Sequence, residues 1–191
     1  MTKNIYLFLG CSGSGKTTIT EHLEEKYNLK SIQSYTTRKP RYEGEKGHTF
    51  ISDEDFDKLE NLVAYTSFCN NRYAATAEQV DTHDLYTIDP KGVEYFREHY
   101  KGNKGIKIIY INSPVTTRYE RMIERSKNGG MTHLDAVGEA LKRIANDASE
   151  FYDYIHNITP TDIIVNNYDD DNIDDIVDKV YRCIINYEEE V

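Results

Sequence analysis

The sequence predicts an α/β fold, a five-stranded parallel sheet flanked by helices. Three observations carry that prediction. Short apolar runs alternate along the chain with stretches of helical period, the pattern of right-handed strand–helix–strand crossovers. The first apolar run opens directly into a glycine-rich loop and then into a helix. The chain has 191 residues, 38% of them apolar and 29% charged, enough for a single domain with a core of its own.

The elements follow in order. Asn4–Leu9 is a continuous apolar run of strand length, the kind buried on both faces of a parallel sheet. From Lys16 the period changes: Ile19, Leu23 and Tyr27 recur at helical spacing, and Asn28 is the stop. A short second strand is expected over 31–34, a third over 84–89, a fourth over 106–112 and a fifth over 162–166. Helical patterns lie between them at 91–100, 115–125 and 134–152. A last helix carries Ile173, Ile176, Val177, Val180 and Ile184 on one face. Two stretches break the alternation. Residues 35–82 are too long for a crossover loop and read as an inserted mini-domain. In it a short helix opens at Asp53 with Ser52 as its N-cap, and a hairpin joins 63–68 to 73–76. Residues 126–133, with Gly129-Gly130 between two helices, read as a mobile lid. The core is then 1–34, 83–125 and 134–191.

Charge and composition narrow the function. Thirty-three acids against 23 bases leave a net charge of −10, the wrong sign for a binder of nucleic-acid backbones. The first apolar run, Ile5 to Leu9, falls far short of the roughly 20 residues that span a bilayer, and no cleavage site precedes the glycines. Cys11, Cys69 and Cys183 have neither disulfide nor zinc-knuckle spacing. A soluble, cytoplasmic protein acting on small molecules is expected.

The chemistry is concentrated in Gly10-Cys11-Ser12-Gly13-Ser14-Gly15-Lys16-Thr17, which matches the phosphate-loop pattern G-x-x-x-x-G-K-[ST] at every fixed position. Its context is the required one, a buried strand before and an amphipathic helix after. The glycines let backbone N–H groups curl around phosphate oxygens, and the helix presents its positive end there. Lys16 supplies a point charge for the β- and γ-phosphates. Thr17, with Thr18 beside it at the helix start, offers a hydroxyl to Mg²⁺. A loop of this kind binds a nucleoside triphosphate, ATP with Mg²⁺ in the reading developed below.

Basic residues supply the rest. Ser34-Tyr35-Thr36-Thr37-Arg38-Lys39-Pro40-Arg41 is the densest basic patch in an acidic chain, and its paired guanidinium groups suit bidentate phosphate binding. Arg118, Arg121 and Arg125 fall on one helical face leading into 126–133, and Arg143 lies on the helix beyond. Arg118 reads as a solvated surface arginine. Arg125 and Arg143 read as charges for a phosphoryl group in transfer.

These segments together resemble the guanylate kinase family of phosphate-loop nucleoside monophosphate kinases. The resemblance covers essentially the whole chain, and Thr-Thr-Arg-x-Pro-Arg is its most specific part. It implies the phosphate-loop NTPase fold with an inserted acceptor-binding mini-domain. It also implies that Arg38, Arg41 and Tyr73 hold the acceptor phosphate, with Glu45 at the family's acidic position after the arginines. Ser34 matches the serine at the guanine edge, and Asp89 the aspartate facing the acceptor base. Arg121, Arg125 and Arg143 match arginines that meet donor phosphates, and Asn166 an asparagine beside the donor adenine. This chain departs from the pattern at four places: His48 stands in a shortened segment after Gly44-Glu45, Ala64 replaces the glutamate that reads guanine, Ala74-Ala75 follow Tyr73, and Thr87 replaces an aspartate. The phosphate machinery is kept better than the base-reading machinery.

Three functions fit. The first is transfer of the γ-phosphoryl of ATP to a nucleoside monophosphate, GMP or dGMP foremost. The second keeps the chemistry and changes the acceptor: ribose 1,5-bisphosphate phosphokinase is similar in scaffold and in the context His48-Thr49-Phe50-Ile51-Ser52. The third is a binding module without catalysis, which the intact Gly15-Lys16-Thr17 argues against.

Overall fold

Every residue of the first strand, β1 (Asn4–Leu9), is buried, as a strand covered on both faces requires. The computed structural model describes residues 2–40, 43–68 (Phe68 by its backbone alone), 70–156, 161–168 and 171–189. The chain divides into two compact units, Met1–Leu7 with Leu23–Lys107, and Phe8–His22 with Ile108–Val191. After β1 the elements are α1 (Lys16–Tyr27), β2 (Ser34–Thr36), β3 (His48–Phe50), α2 (Asp53–Phe56), β4 (Leu62–Phe68), β5 (Asn71–Thr76) and α3 (Ala77–Thr82). Then come β6 (Leu85–Thr87), α4 (Pro90–His99), β7 (Gly105–Asn112), α5 (Val115–Asn128), α6 (His133–Glu150), α7 (Tyr152–Ile155), β8 (Ile163–Asn166) and α8 (Ile173–Glu189). One sheet has the strand order β6-β1-β7-β8 and the other β3-β2-β5-β4. No described helix is long and apolar enough to cross a membrane.

In the first unit, the second sheet falls, but for Ser34, within residues 35–82. β2 pairs in parallel with β3, Ser34 opposite His48 and Thr36 opposite Phe50. It pairs antiparallel with β5, Thr36 opposite Tyr73, and β5 pairs with β4. The expected cap is present: the Ser52 hydroxyl accepts the Asp55 N–H and starts α2. A second cap at Thr76 starts α3, where the Gln79 side-chain oxygen accepts the Thr76 N–H and completes a capping box. The expected second strand at 31–34 is reduced to a single parallel bridge, Ser31 to Leu85, so the first sheet has four strands rather than five. Ile32 is the one apolar residue in Ser31-Ile32-Gln33, and it is buried. Gln33 is drawn to the other sheet, its side chain accepting the Gly47 N–H and its carbonyl accepting from Gln79. The chain next forms a strand at β2, which belongs to the other sheet.

In the second unit, β7 and β8 pair in parallel, Ile109 opposite Ile163 and Asn112 opposite Asn166. α8 buries Ile176, Val177, Val180 and Ile184, the face its periodicity specifies. α6 turns Ala136, Ala140 and Asp147 inward. Small side chains at 136 and 140 let α6 pack closely on α5, which buries Thr117, Arg118 and Met122. Residues 126–133 comprise the last turn of α5, a tight connection and the start of α6. Gly129 is the C-cap of α5, and the Thr132 hydroxyl caps α6 through the Asp135 N–H.

Candidate active site

The phosphate loop, residues 10–17, falls in the second unit between β1 and α1. Two of its glycines have no substitute. Gly13 has φ +77°, and a Cβ there would stand 2.7 Å from the Arg118 carbonyl oxygen. Gly15 has φ +95°, and a Cβ would meet the Asn167 amide nitrogen. Both conformations disfavour L side chains, so glycine lets the loop pass against α5 and against the segment after β8. α1 begins at Lys16, and its first helical bond runs from the Ile19 N–H to the Gly15 carbonyl, 3.0 Å. The N–H groups of Lys16, Thr17 and Thr18 thus have no helical partner, the arrangement that receives an anion at a helix N-terminus.

The Lys16 ammonium donates to the carbonyls of Gly10 and Cys11. Burial pushes its pKa down to about 8, with the Asp147 carboxylate acting the other way. Burial likewise pushes the Cys11 thiol up, so this cysteine is a packed side chain rather than a nucleophile. Thr17 and Thr18 are exposed, and the Ser14 hydroxyl is buried without a hydrogen-bond partner. Among the described residues no cluster of three or more His, Cys, Asp or Glu side chains forms a metal cage. A single helix-start hydroxyl, Thr17, is a donor set that fits Mg²⁺, an ion that keeps several waters and takes its other ligands from substrate phosphates.

Arg118 is not a solvated arginine. It is 7% exposed and its guanidinium donates to Asp147, 3.0 Å, to the Ser113 carbonyl, 3.2 Å, and to the Ser12 carbonyl, 3.4 Å. The sequence reading missed Asp147 altogether. The available signal was position: residues 136, 140 and 147 share one helical face, and a carboxylate among alanines on a buried stripe needs a partner. Asn166 ends β8. Its side chain accepts from Asn112 at 3.0 Å on the exposed end of the strand pair. The next residue, Asn167, is buried: its amide donates to the Ser14 carbonyl of the loop, 2.8 Å, and accepts from Arg121, 3.2 Å. A one-residue step reverses the side of a strand, so sequence position alone does not select between the two. Arg121 also donates to the Tyr168 carbonyl. Arg125 is exposed on α5, and Arg143 pairs with Glu139 one turn earlier on α6, 2.8 Å.

The acceptor candidates gather in the first unit. Arg38 and Glu45 form a two-pronged pair at 2.8 and 3.2 Å, with side chains only 13% and 6% exposed. The hydrogen bond to Glu45 raises the arginine's pKa, and Tyr73 adds to it. The guanidinium lies 5.2 Å over the Phe50 ring, while its Nε is buried and has no hydrogen-bond partner. The strand register brings Ser34 beside His48, and the Ser34 Oγ and His48 Nδ1 are 2.8 Å apart. The His48 ring packs on Tyr73 at 5.6 Å. Arg38, Glu45, His48, Tyr73 and Ser34 are therefore one cluster. Asp89 instead caps α4, its carboxylate accepting the Gly92 N–H at 2.6 Å. Ala64 and Ala75 face each other across β4 and β5, both buried, and neither offers a group to a base. Arg41 lies outside the described residues.

Comparison with known proteins gives the family and the fold. The family model "Guanylate kinase" matches residues 2–187. A protein named guanylate kinase from Neisseria meningitidis serogroup A is 34% identical over 119 residues, 56% of this chain and 58% of that protein, so the match spans less than two thirds of the relative. A protein of the same name from Helicobacter pylori is 28% identical over 165 residues, 80% of this chain and 78% of that one. Among solved structures, the guanylate kinase from Anaplasma phagocytophilum superimposes with a TM-score of 0.56 at 17% identity, covering all of this chain and 89% of that one, a likeness of fold.

Proposed function

The chain belongs to the guanylate kinase family, and from that membership we propose that it is a nucleoside monophosphate kinase, transferring the γ-phosphoryl of ATP to a 5′-phosphate with GMP or dGMP as the leading acceptor. The observation that carries the reading is the intact phosphate loop, with Lys16 enclosed by loop carbonyls and α1 starting at that residue. The donor is held by Lys16, Thr17, the loop amides and Arg121. Arg125 and Arg143 answer the charge that spreads over the phosphoryl group in transfer. Arg38, Arg41, His48 and Tyr73 hold the acceptor phosphate, and the unpartnered Arg38 Nε supports that assignment. The acceptor oxygen is already anionic, so alignment rather than a general base supplies most of the rate. Thr17 would hold Mg²⁺, which would supply charge neutralisation to the phosphates. Residues 35–82 act as the acceptor-binding insert and 126–133 as the lid, which exclude water from the reaction. A cytoplasmic location and small-molecule partners accompany the reading.

A sugar bisphosphate acceptor is favoured by one observation, the lack of a base-reading group at Ala64 and Ala75 with Asp89 engaged as a cap. Steady-state ADP release across GMP, dGMP, AMP, CMP, UMP, dTMP and ribose 1,5-bisphosphate decides between them. The proposal expects GMP or dGMP to lead, with AMP rejected by less than the roughly 10⁴-fold that a fully hydrogen-bonded base site gives. Turnover confined to the sugar phosphate overturns it.

A further inference from the structure

We propose that Asp147 and Arg118 are positioning residues for the phosphate loop, a buried ion pair that clamps Ser12 and thereby fixes the amides and the lysine that receive the donor phosphates; this rests on the kinase reading above. The clamp is complete at Ser12. The Ser12 N–H donates to one Asp147 oxygen, 2.8 Å, and its hydroxyl to the other, 3.1 Å. The Ser12 carbonyl accepts from Arg118, 3.4 Å, and Arg118 in turn holds Asp147 at 3.0 Å. All three polar groups of Ser12 are thus turned to the pair. Ser12 then serves the donor site by holding the loop's shape. The next residue, Gly13, runs so close to the backbone of Arg118 that no side chain fits between them.

A pair at 6% and 7% exposure is a costly anchor for one serine. Hydrophobic contact would hold two helices together without it. The pair earns its place by what lies beside it. The loop must keep a phosphate-receiving curvature with its N–H groups converging, an arrangement that repels itself electrostatically, and a fixed carboxylate on the loop's flank opposes that repulsion. The same carboxylate favours the charged form of Lys16 against burial, while Arg118 and Arg125 disfavour it and Cys11 acts with Asp147. Asp147 comes from α6 and Arg118 from α5, the helices on either side of residues 129–132, so the clamp ties both to the loop.

Three variants of the whole chain test this: Asp147→Asn, Asp147→Ala, and the double variant Arg118→Met with Asp147→Leu. The double variant removes both charges together and keeps the fold if a single variant does not. Three measurements are made on each, the dissociation constant for Mg·ATP without acceptor, the acceptor KM and amide hydrogen exchange across 10–16, and Asp147→Asn is also followed by the pH profile of kcat/KM. The expected result is a dissociation constant raised at least about tenfold with the acceptor KM unchanged, and loss of protection at the Ser12 N–H. In Asp147→Asn the alkaline fall of kcat/KM for Mg·ATP moves to lower pH, a change that a merely structural residue does not produce. Unchanged or tighter ATP binding overturns the proposal, the tighter case because the carboxylate then competes with phosphate. Failure of the wild-type chain to bind Mg·ATP overturns the kinase reading instead, and unchanged exchange at Ser12 in the variants then rejects the clamp on its own.

Discussion

Lys16 sets the alkaline limit of the reaction. Its folded-state pKa of about 8 lies below the ordinary 10.5, so the buried ammonium is charged only up to that pH. kcat/KM for Mg·ATP should be level below pH 8 and fall about tenfold per pH unit above it. The sign is opposite for stability: the unfolded chain holds this proton more tightly, so between pH 8 and 10.5 the lysine's contribution to folding improves as pH rises. Loss of ATP affinity on that limb without loss of the fold, followed by circular dichroism, checks both statements. Lys16→Ala should lower turnover by about 10²–10³ while leaving the melting curve intact. Near wild-type ADP release by that variant would remove the kinase reading. Arg38 is different because it answers a partner. Arg38→Ala should raise the acceptor KM with little change for ATP, and it removes a two-pronged ion pair from a largely enclosed position, costing about 1–3 kcal/mol. Adding Glu45→Gln should recover stability and not acceptor affinity.

At the scale of elements, the candidate site depends on how strands and helices begin and end. β2 is only three residues long, yet its register with β3 and β5 sets Ser34 against His48 and Thr36 against Tyr73. What fixes the end of β5 is the capping box at Thr76, which turns the chain into α3. Thr76→Ala removes the acceptor of the Gln79 N–H and should cost about 1 kcal/mol in urea unfolding. Since Gln79 also donates to the Gln33 carbonyl just before β2, the variant should raise the acceptor KM as well. Thr76→Ser, which keeps the cap, should restore both. The short α2, α3 and α7 offer four to six residues of pattern each, and only α2 was legible, through its Ser52 cap and acidic first turn.

For the molecule as a whole, the balance of charge is at odds with its proposed ligands. A chain of net charge −10 takes up an anionic triphosphate only where basic groups and helix N–H groups are locally concentrated. Mg·ATP at about 100 times its dissociation constant should stabilise the fold by about 2.7 kcal/mol, a rise in Tm of about 5–11 °C for a chain of this length. The rise should shrink with added salt and vanish in Lys16→Ala. A rise that persists in that variant would place the nucleotide elsewhere.

The sequence by itself determined the strand, loop and helix at 4–27, the phosphate chemistry they carry, and the apolar face of α8. Each of these is a matter of spacing within one contiguous segment, and backbone geometry converts such spacing directly into position. The Arg38 cluster was legible in part, because its arginine, acid and aromatic residues fall within a few short segments, though the buried Glu45 pairing and the Ser34–His48 contact needed the strand register. Tertiary structure alone decided the partners of buried polar groups. Asp147 meets Ser12 across 135 positions and Arg118 across 29. Asn167 rather than Asn166 meets the loop, at a separation of 153. The chain at 31–33 keeps only one bridge to the first sheet, while Gln33 makes hydrogen bonds in the other. A buried charge or amide must find a partner, but which one is set by how distant helices and strands pack, and no local period in the sequence encodes that choice.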